Sequence, residues 1–377
     1  LYVAQWVKQP RGAADGVVQL VFGDRSRLAR FAPHMYTPEA NQLFRNDGDG
    51  TFSDITDEAG VADRTGRGLG VALADFDGDS RPDLFVANDE SPNRFFRNLG
   101  GGRFEDASTS ARMYDARAGM GVAVADLDGN AALDLVYTNF RTEYNAAVVN
   151  RLADGFFSER TQELGLAAGS LGVTSWGVAA EDLDNDGDVD LAMVNGHPTP
   201  FDPKVTPFRG DLGSRERCLP ERPRVYERND GTYRNVTAQT GAPAAVEDVG
   251  RGLAAGDVDR DGRLDLVATT NQGPSYLWRN VSEPSGHWLT VRLRGGPENR
   301  LGVGAVVTVG APGHEQRRVI LSGGSYLSQP PLEAHFGLGE TEQVPVVQVL
   351  WPNGAETLVE NVDADQILVI ERDGAAS

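Results

Sequence analysis

The sequence predicts an all-β protein, a β-propeller followed by a small β domain, on three observations. The pattern Asp-x-Asp-x-[Asp/Asn]-x-x-x-Asp-Leu occurs at Asp75–Leu84 ("DFDGDSRPDL"), Asp126–Leu135 ("DLDGNAALDL"), Asp182–Leu191 ("DLDNDGDVDL") and Asp257–Leu266 ("DVDRDGRLDL"). The first aspartates stand 51, 56 and 75 residues apart, the last interval stretched by an insertion over Asn195–Arg224. From about Gly286 the acidic loops cease and alternating apolar patterns take over.

In chain order, "LYVAQWV" (Leu1–Val7) reads as the last strand of a unit whose acidic loop would precede residue 1. Ahead of the four acidic motifs lie "LFRNDGDGTFSDIT", "FFRNLGGGRFEDAS", "VVNRLADGFFSERT" and "YERNDGTYRNVT", each a strand, a turn and a strand. "GVALAD", "GVAVAD", "GVAAED" and "GLAAGD" lead into the first aspartates, and "DLFVAN", "DLVYTN", "DLAMVN" and "DLVATT" follow the last. Runs this short and apolar, bounded by turn residues, read as buried strands. Four strands per unit, recurring at this period, mark a propeller, whose ring closes the edges that a linear stack would leave open. "YLWRN" (Tyr276–Asn280) reads as the first strand of an unfinished unit. Four whole units and two fragments make an incomplete ring, so on the order of two further repeats and a targeting segment are expected upstream.

The terminal part carries "HWLTVRLRG", "GAVVTVGA", "RRVILSG", "PVVQVLWPNG", "ETLVENV" and "QILVIERD" as strands. The division is therefore a propeller over 1–285 and a small β-sandwich-like domain over 286–377.

Carboxylates about 5 Å apart repel by roughly 3 kcal/mol per pair at an effective dielectric of 20. One such loop would pass as a solvated acidic turn; four copies with one spacing favour a bound cation. The oxygens of positions 1, 3 and 5 converge if the loop curls, as in the first half of an EF-hand loop, and hard oxygen donors favour calcium. The last carboxylate falls at position 9, where an EF-hand would place a Glu at 12. The candidate side-chain ligands are Asp75, Asp77, Asp79 and Asp83; Asp126, Asp128, Asn130 and Asp134; Asp182, Asp184, Asp186 and Asp190; and Asp257, Asp259, Asp261 and Asp265, with about one Ca2+ per loop.

"RGLGVALADFDGDSRPDLFVANDESPNRFFRN", "AGMGVAVADLDGN", "NGH" at Asn195–His197, "GHWLTVRLRGG", "GGSYLSQ", "HFGLG" and "WPNG" together make the chain resemble the FG-GAP/VCBS propellers that end in an ASPIC/UnbV domain, the family of cartilage acidic protein and many bacterial relatives. The resemblance implies an integrin-α-like ring of seven blades with calcium in the blade loops. It also implies a backbone carbonyl ligand at position 7, which adds Arg81, Ala132, Asp188 and Arg263, and a Gly at position 6. Gly187 and Gly262 fit that pattern, whereas Ser80 and Ala131 depart from it, and a left-handed conformation costs a non-Gly residue about 1 kcal/mol or more. With Asn130 also lacking a charge, the Asp126 loop is expected to lose its ion first, the Asp75 loop next, and the other two last.

A formal charge of −20, from 35 basic and 55 acidic residues, disfavours nucleic acid as a partner, and four Ca2+ ions would bring it to −12. Cys218 is the only cysteine, so an internal disulfide or a thiolate zinc site is excluded, and it reads as a passive thiol. No apolar run is long enough to span a membrane. No nucleophile with its base, His-rich metal site or phosphate loop has a recognisable spacing, which argues against an enzyme. His197 reads as a rim residue fixing the insertion in preference to a catalytic group, and Ser325 in "GGSYLSQ" as part of a turn. "RGD" at Arg209–Asp211 is put down to chance, and the glycosylation patterns at Asn235 and Asn280 are discounted because both are expected in strands.

Two functions stay open. The preferred one is a calcium-binding, secreted or envelope-associated interaction protein that holds a protein, glycan or small-molecule ligand. The other is an enzyme or substrate-binding component of natural-product biosynthesis of the enediyne type, with a pocket at the propeller axis or in the 195–224 insertion.

Overall fold

A computed structural model describes residues 1–5, 17–22, 25–30, 33, 36–151, 154–200, 218–271, 273–282, 286–311 and 314–372. The chain opens with β1 (Tyr2–Val3), a separate hairpin of β2 (Val17–Phe22) and β3 (Arg25–Arg30), then β4 (Gln42–Asn46) and β5 (Phe52–Asp54), which join β1 in the order β1-β4-β5. Two meanders follow: β6 (Gly68–Ala74), β7 (Asp83–Asn88), β8 (Arg94–Gly100) and β9 (Arg103–Asp106), then β10 (Val122–Ala125), β11 (Asp134–Tyr137), β12 (Ala146–Arg151) and β13 (Phe156–Glu159). The fourth sheet holds β14 (Ser175–Glu181), β15 (Asp190–Pro200), β16 (Cys218–Pro220), β17 (Arg224–Asn229) and β18 (Thr232–Asn235), with β16 paired to the far end of β15. The fifth holds β19 (Gly250–Gly256), β20 (Asp265–Thr270) and β21 (Tyr276–Trp278).

The second strand of each unit is apolar throughout because both its faces are covered. All six residues of β7 are buried. Leu84 and Val86 pack with Tyr2 and Val61 on one side, while Phe85 and Ala87 pack with Val122, Leu135 and Phe157 on the other. Val136 and Val149 then meet Val178 and Leu191, and Ala192 and Val194 meet Leu253 and Leu266. Each core thus lies between consecutive sheets, which stack face to face as blades. First strands approach so closely that a Cβ on Gly121 would lie 2.1 Å from the Trp176 carbonyl oxygen.

The grouping of strands differs from the sequence expectation. Each acidic loop joins the first two strands of a sheet, and the hairpin after it, not the one before, completes that sheet. Tyr2–Val3 pairs with β4, and Tyr276–Trp278 pairs with β20 as a third strand, so both lie in three-stranded sheets as expected of partial units, but Tyr2–Val3 shares its sheet with the hairpin after it and Tyr276–Trp278 with the acidic-loop strands before it. The physical reason is connection length: only Asp89–Asn93 separates β7 from β8, and short links join antiparallel neighbours. Trp6, Val7 and residues 201–217 of the insertion, with Arg209–Asp211, lie outside the described residues.

The C-terminal strands are β22 (His287–Arg294), β23 (Val306–Ala311), β24 (His314–Val319), β25 (Glu333–Gly339), β26 (Gln343–Leu350), β27 (Glu356–Asp363) and β28 (Gln366–Glu371). They form two sheets, β25-β22-β28 and β24-β23-β26-β27, around one core of Leu289, Val291, Val307, Phe336, Val347, Trp351 and Ile370. This sandwich touches the propeller at several places, among them Val319 and Leu321 against the core that holds Val122. The segment Gly323–Ser328 crosses the first strands: Val122 N–H donates to the Ser325 carbonyl at 3.0 Å, Val178 N–H donates to Ser325 Oγ at 3.0 Å, and Tyr326 meets Trp176 edge-on at 4.8 Å. Strands β22 and β25 lie against the Asp182 and Asp257 loops.

Candidate metal centres

Each acidic loop curls around its first aspartate. Asp75 accepts the N–H groups of Gly78, Asp79 and Ser80 at 2.8, 3.0 and 2.8 Å, and Asp126 accepts those of Gly129, Asn130 and Ala131 at 2.8, 3.1 and 2.8 Å. Asp257 accepts from Asp261 and Gly262, and Asp182 from Gly187. So tight a curl takes two left-handed residues, at positions 4 and 6: Gly78 and Ser80, Gly129 and Ala131, Asn185 and Gly187, Arg260 and Gly262.

The aspartate at position 9 is a clasp as well as a candidate ligand. Asp83 accepts Phe76 N–H with one oxygen and Asn98 N–H, on the third strand, with the other. Asp134 does the same with Leu127 and Asn150, Asp190 with Leu183 and Arg228, and Asp265 with Val258 and Asn280. This link to the third strand, or in the last unit to Asn280 just past it, was not read from sequence, although the recurring "RN" and "NR" pairs there were its visible signal.

Positions 1, 3 and 9 come together. In Asp75/Asp77/Asp83, Asp126/Asp128/Asp134, Asp182/Asp184/Asp190 and Asp257/Asp259/Asp265, one oxygen from each residue lies within 4.8 Å of the others. The position-5 side chains stand outside these triads and cap position 7: Asp79 accepts Arg81 N–H at 2.9 Å, Asn130 accepts Ala132 N–H at 2.7 Å, Asp186 accepts Asp188 N–H at 2.8 Å and Asp261 accepts Arg263 N–H at 3.0 Å. Arg81 and Arg263 also ion-pair with Asp79 and Asp261, and the Asp188 side chain pairs with Arg228.

The residues fit a hard divalent cation. Oδ1 of Asp182 and Oδ1 of Asp128 are buried without a hydrogen-bond partner, so each triad they belong to has a desolvated oxygen with nothing to bind. Burial, reinforced by neighbouring carboxylates, pushes Asp83 and Asp182 up to about 7 and Asp134 and Asp190 up to about 8. It also raises Asp77, Asp184 and Asp186. Arg318 beside Asp182, Arg151 on Asp128 and Arg279 on Asp259 offset only part of this negative charge, and oxygen-only donors select calcium or magnesium over softer metals.

Elsewhere the structure reassigns several expectations. Ser325 stands at the turn Tyr326–Leu327, and its segment also crosses the first strands; it borders a cavity of about 80 Å3 beside β10, β14 and β19 and a second of about 640 Å3 shared with β6, β10 and Trp351, the latter within the size range of a small-molecule site. His197 lies on β15, buried, with its ring 5.4 Å from that of Phe140. Asn280 follows β21 instead of lying within a strand, and its amide donates to the Leu183 carbonyl at 2.7 Å. Asn235 is the exposed last residue of β18. No helix among the described residues is long and apolar enough to cross a membrane.

Comparison with known proteins matches residues 295–377 to the family described as ASPIC and UnbV, 14–86 and 75–137 to the FG-GAP-like repeat, and 249–278 to the FG-GAP repeat. The Asp182 loop falls outside the matched ranges yet repeats their geometry. Cartilage acidic protein 1 of Homo sapiens is 29% identical over 325 residues, covering 84% of this chain and 45% of that protein. Its Mus musculus counterpart is 30% identical over 325 residues, covering 84% and 46%. The chain thus spans about half the length of the curated relatives it matches. A solved structure of N-acetylglucosamine recognition by an Agrocybe aegerita lectin aligns at a TM-score of 0.30, with 18% identity over 64% of this chain and 75% of that one.

Proposed function

We propose, from the premise that the chain carries FG-GAP repeats and a C-terminal ASPIC/UnbV domain, that it is a calcium-binding propeller acting outside the cell or at its envelope as an interaction protein. The observation that carries the calcium reading is the repetition of one carboxylate triad at four places, with buried, unpartnered oxygens in two of them. Asp75, Asp77, Asp83 and their counterparts would hold the ions, with the position-5 side chains and the carbonyls of Arg81, Ala132, Asp188 and Arg263 as further donors. A resident ion supplies charge that offsets the mutual repulsion of the carboxylates; the chain's own part is to fix the loops between buried strands.

The ion is structural on this reading. The stacked blades, divided from the C-terminal domain near Gly286, present their edges and loops to a protein, glycan or small molecule. Millimolar calcium outside cells suits the modest affinity expected of a site built on three or four carboxylates. Equilibrium dialysis of the intact chain against radioactive calcium tests the reading: four ions per chain are expected, one for each triad, and none bound at millimolar calcium overturns it.

A further inference from the structure

We infer that the C-terminal sandwich is latched to the propeller by the ion state of two of the four acidic loops: with ions in the Asp182 and Asp257 loops the sandwich and its axial segment are held, and with those ions removed they loosen. The inference rests on the calcium reading above and concerns what the ions control.

The latch is built on Asn185, at position 4 of the Asp182 loop, which is 4% exposed. Its amide nitrogen donates to the Gly262 carbonyl of the neighbouring acidic loop at 2.9 Å, which leaves its Oδ1 as an acceptor. His335 Nε2 meets that oxygen at 2.8 Å and must therefore donate, so His335 Nδ1 accepts from the Thr290 hydroxyl at 3.0 Å. Burial pushes His335 down to about 3, consistent with a neutral ring in this tautomer. Gly339 N–H donates to the Asn185 carbonyl at 3.0 Å. The sandwich thus grips both side chain and backbone of a loop residue held left-handed at φ 64°.

Contact reaches the ligands themselves. A Cβ on Gly337 would lie 2.0 Å from Asp182 Oδ2, and one on Gly262 would lie 2.0 Å from Trp288 Nε1. Trp288 in turn stacks on His335 with ring centres 6.1 Å apart. Any spreading of the Asp182 carboxylates on ion loss therefore presses on β25, and any shift of Gly262 presses on Trp288. By contrast, no hydrogen bond among the described residues joins the Asp75 or Asp126 loop to the sandwich.

Linkage makes the effect reciprocal: if ions favour the docked sandwich, docking tightens those ions by the same factor, typically about 5- to 150-fold. Arg318, buried on β24, faces Glu181 and Asp182 and opposes a cation there, so the coupling is carried by the Asn185 grip and not by charge.

Hydrogen exchange of the full chain, read over the peptides containing Ser325 and Gly339, tests the inference alongside calorimetric counting of bound calcium. Chelation is expected to speed exchange at both by about tenfold or more. Asp184→Asn should reproduce this in calcium, while Asp77→Asn should not. His335→Gln should weaken two of the four calcium sites by about fivefold or more and leave the other two unchanged. Calcium bound at all four loops with exchange at Ser325 and Gly339 indifferent to chelator would overturn the latch alone; no bound calcium would overturn the calcium reading and the latch with it.

Discussion

The Asp75 and Asp126 loops and the Asp182 and Asp257 loops solve one backbone problem in two ways. All four need left-handed residues at positions 4 and 6. The first pair places its glycine at position 4, as Gly78 and Gly129, and accepts Ser80 and Ala131 at position 6; the second places it at position 6, as Gly187 and Gly262, and accepts Asn185 and Arg260 at position 4. Surroundings explain the choice. Beside Gly262 a Cβ would strike the Trp288 ring at 2.0 Å, whereas beside Gly78 there is open space within 4 Å. Position 6 of the second pair faces the sandwich: Gly262 needs both the dihedral freedom and the missing side chain, whereas at Gly187 a Cβ would meet its nearest neighbour, Gln316 Nε2, at 3.4 Å, so there the dihedral alone decides. The difference teaches that Ser80 and Ala131 do not mark weaker loops: every loop carries one non-Gly residue at positive φ, at a similar cost of about 1 kcal/mol.

The largest test removes ions by pairs. Asp184→Asn with Asp259→Asn should lower unfolding stability in calcium by about 5 kcal/mol, from about 2.7 kcal/mol per site at a hundredfold excess over the dissociation constant. Asp77→Asn with Asp128→Asn should cost less, because those sites lack the sandwich's help and hold their ions at a smaller excess over the dissociation constant. Urea unfolding in calcium compares the two, and equal losses would erase the distinction between the pairs.

Next comes the glycine choice. Gly262→Ala combines a positive φ with a clash against Trp288 and should cost about 3 kcal/mol, while Gly78→Ala should cost about 1 kcal/mol, as dihedral strain alone predicts. Denaturation midpoints read both.

Acid sharpens the contrast further. His335, ordinarily near 6.5, is held down to about 3 in the fold, so the folded chain binds fewer protons than the unfolded one between those values. Its contribution is intact above pH 6.5 and is lost as pH falls, by about 2 kcal/mol at pH 5. The pH dependence of stability should therefore be shallower on the acid side in His335→Gln than in the parent chain. Smallest is the charge at position 5: Asn130→Asp should tighten calcium at the Asp126 loop on the order of tenfold, measured by titration calorimetry.

Repetition made the loops and their flanking strands legible, since each copy of "DLFVAN" or "DLAMVN" confirms the others. Sheet membership was harder, because a repeat read along the chain has no marked beginning, and the hairpin before each motif looks as good a partner as the one after it. The hairpin β2–β3 went unread although Gly23-Asp24 stands between its strands. Strand β25 was missed for a physical reason: "EAHFGLG" carries two glycines and does not alternate, and its order comes from β22 beside it. The same strand supplies His335 and Gly337 to the Asp182 loop, a contact 150 residues distant in sequence that leaves no local pattern. The alternation of Gly between positions 4 and 6 was in plain view as "DGD" and "DGN" against "NDG" and "RDG", but only the φ angles give it meaning.

The most direct measurement is the occupancy of each triad in crystals equilibrated at graded calcium concentrations. The account predicts ions among Asp182, Asp184 and Asp190 and among Asp257, Asp259 and Asp265 at the lowest calcium, then at the Asp75 loop, and last at the Asp126 loop with its uncharged Asn130. Triads holding only water at millimolar calcium would contradict the ion sites themselves, and an Asp126 site that fills before the Asp182 site would contradict the claim that the sandwich secures its own pair.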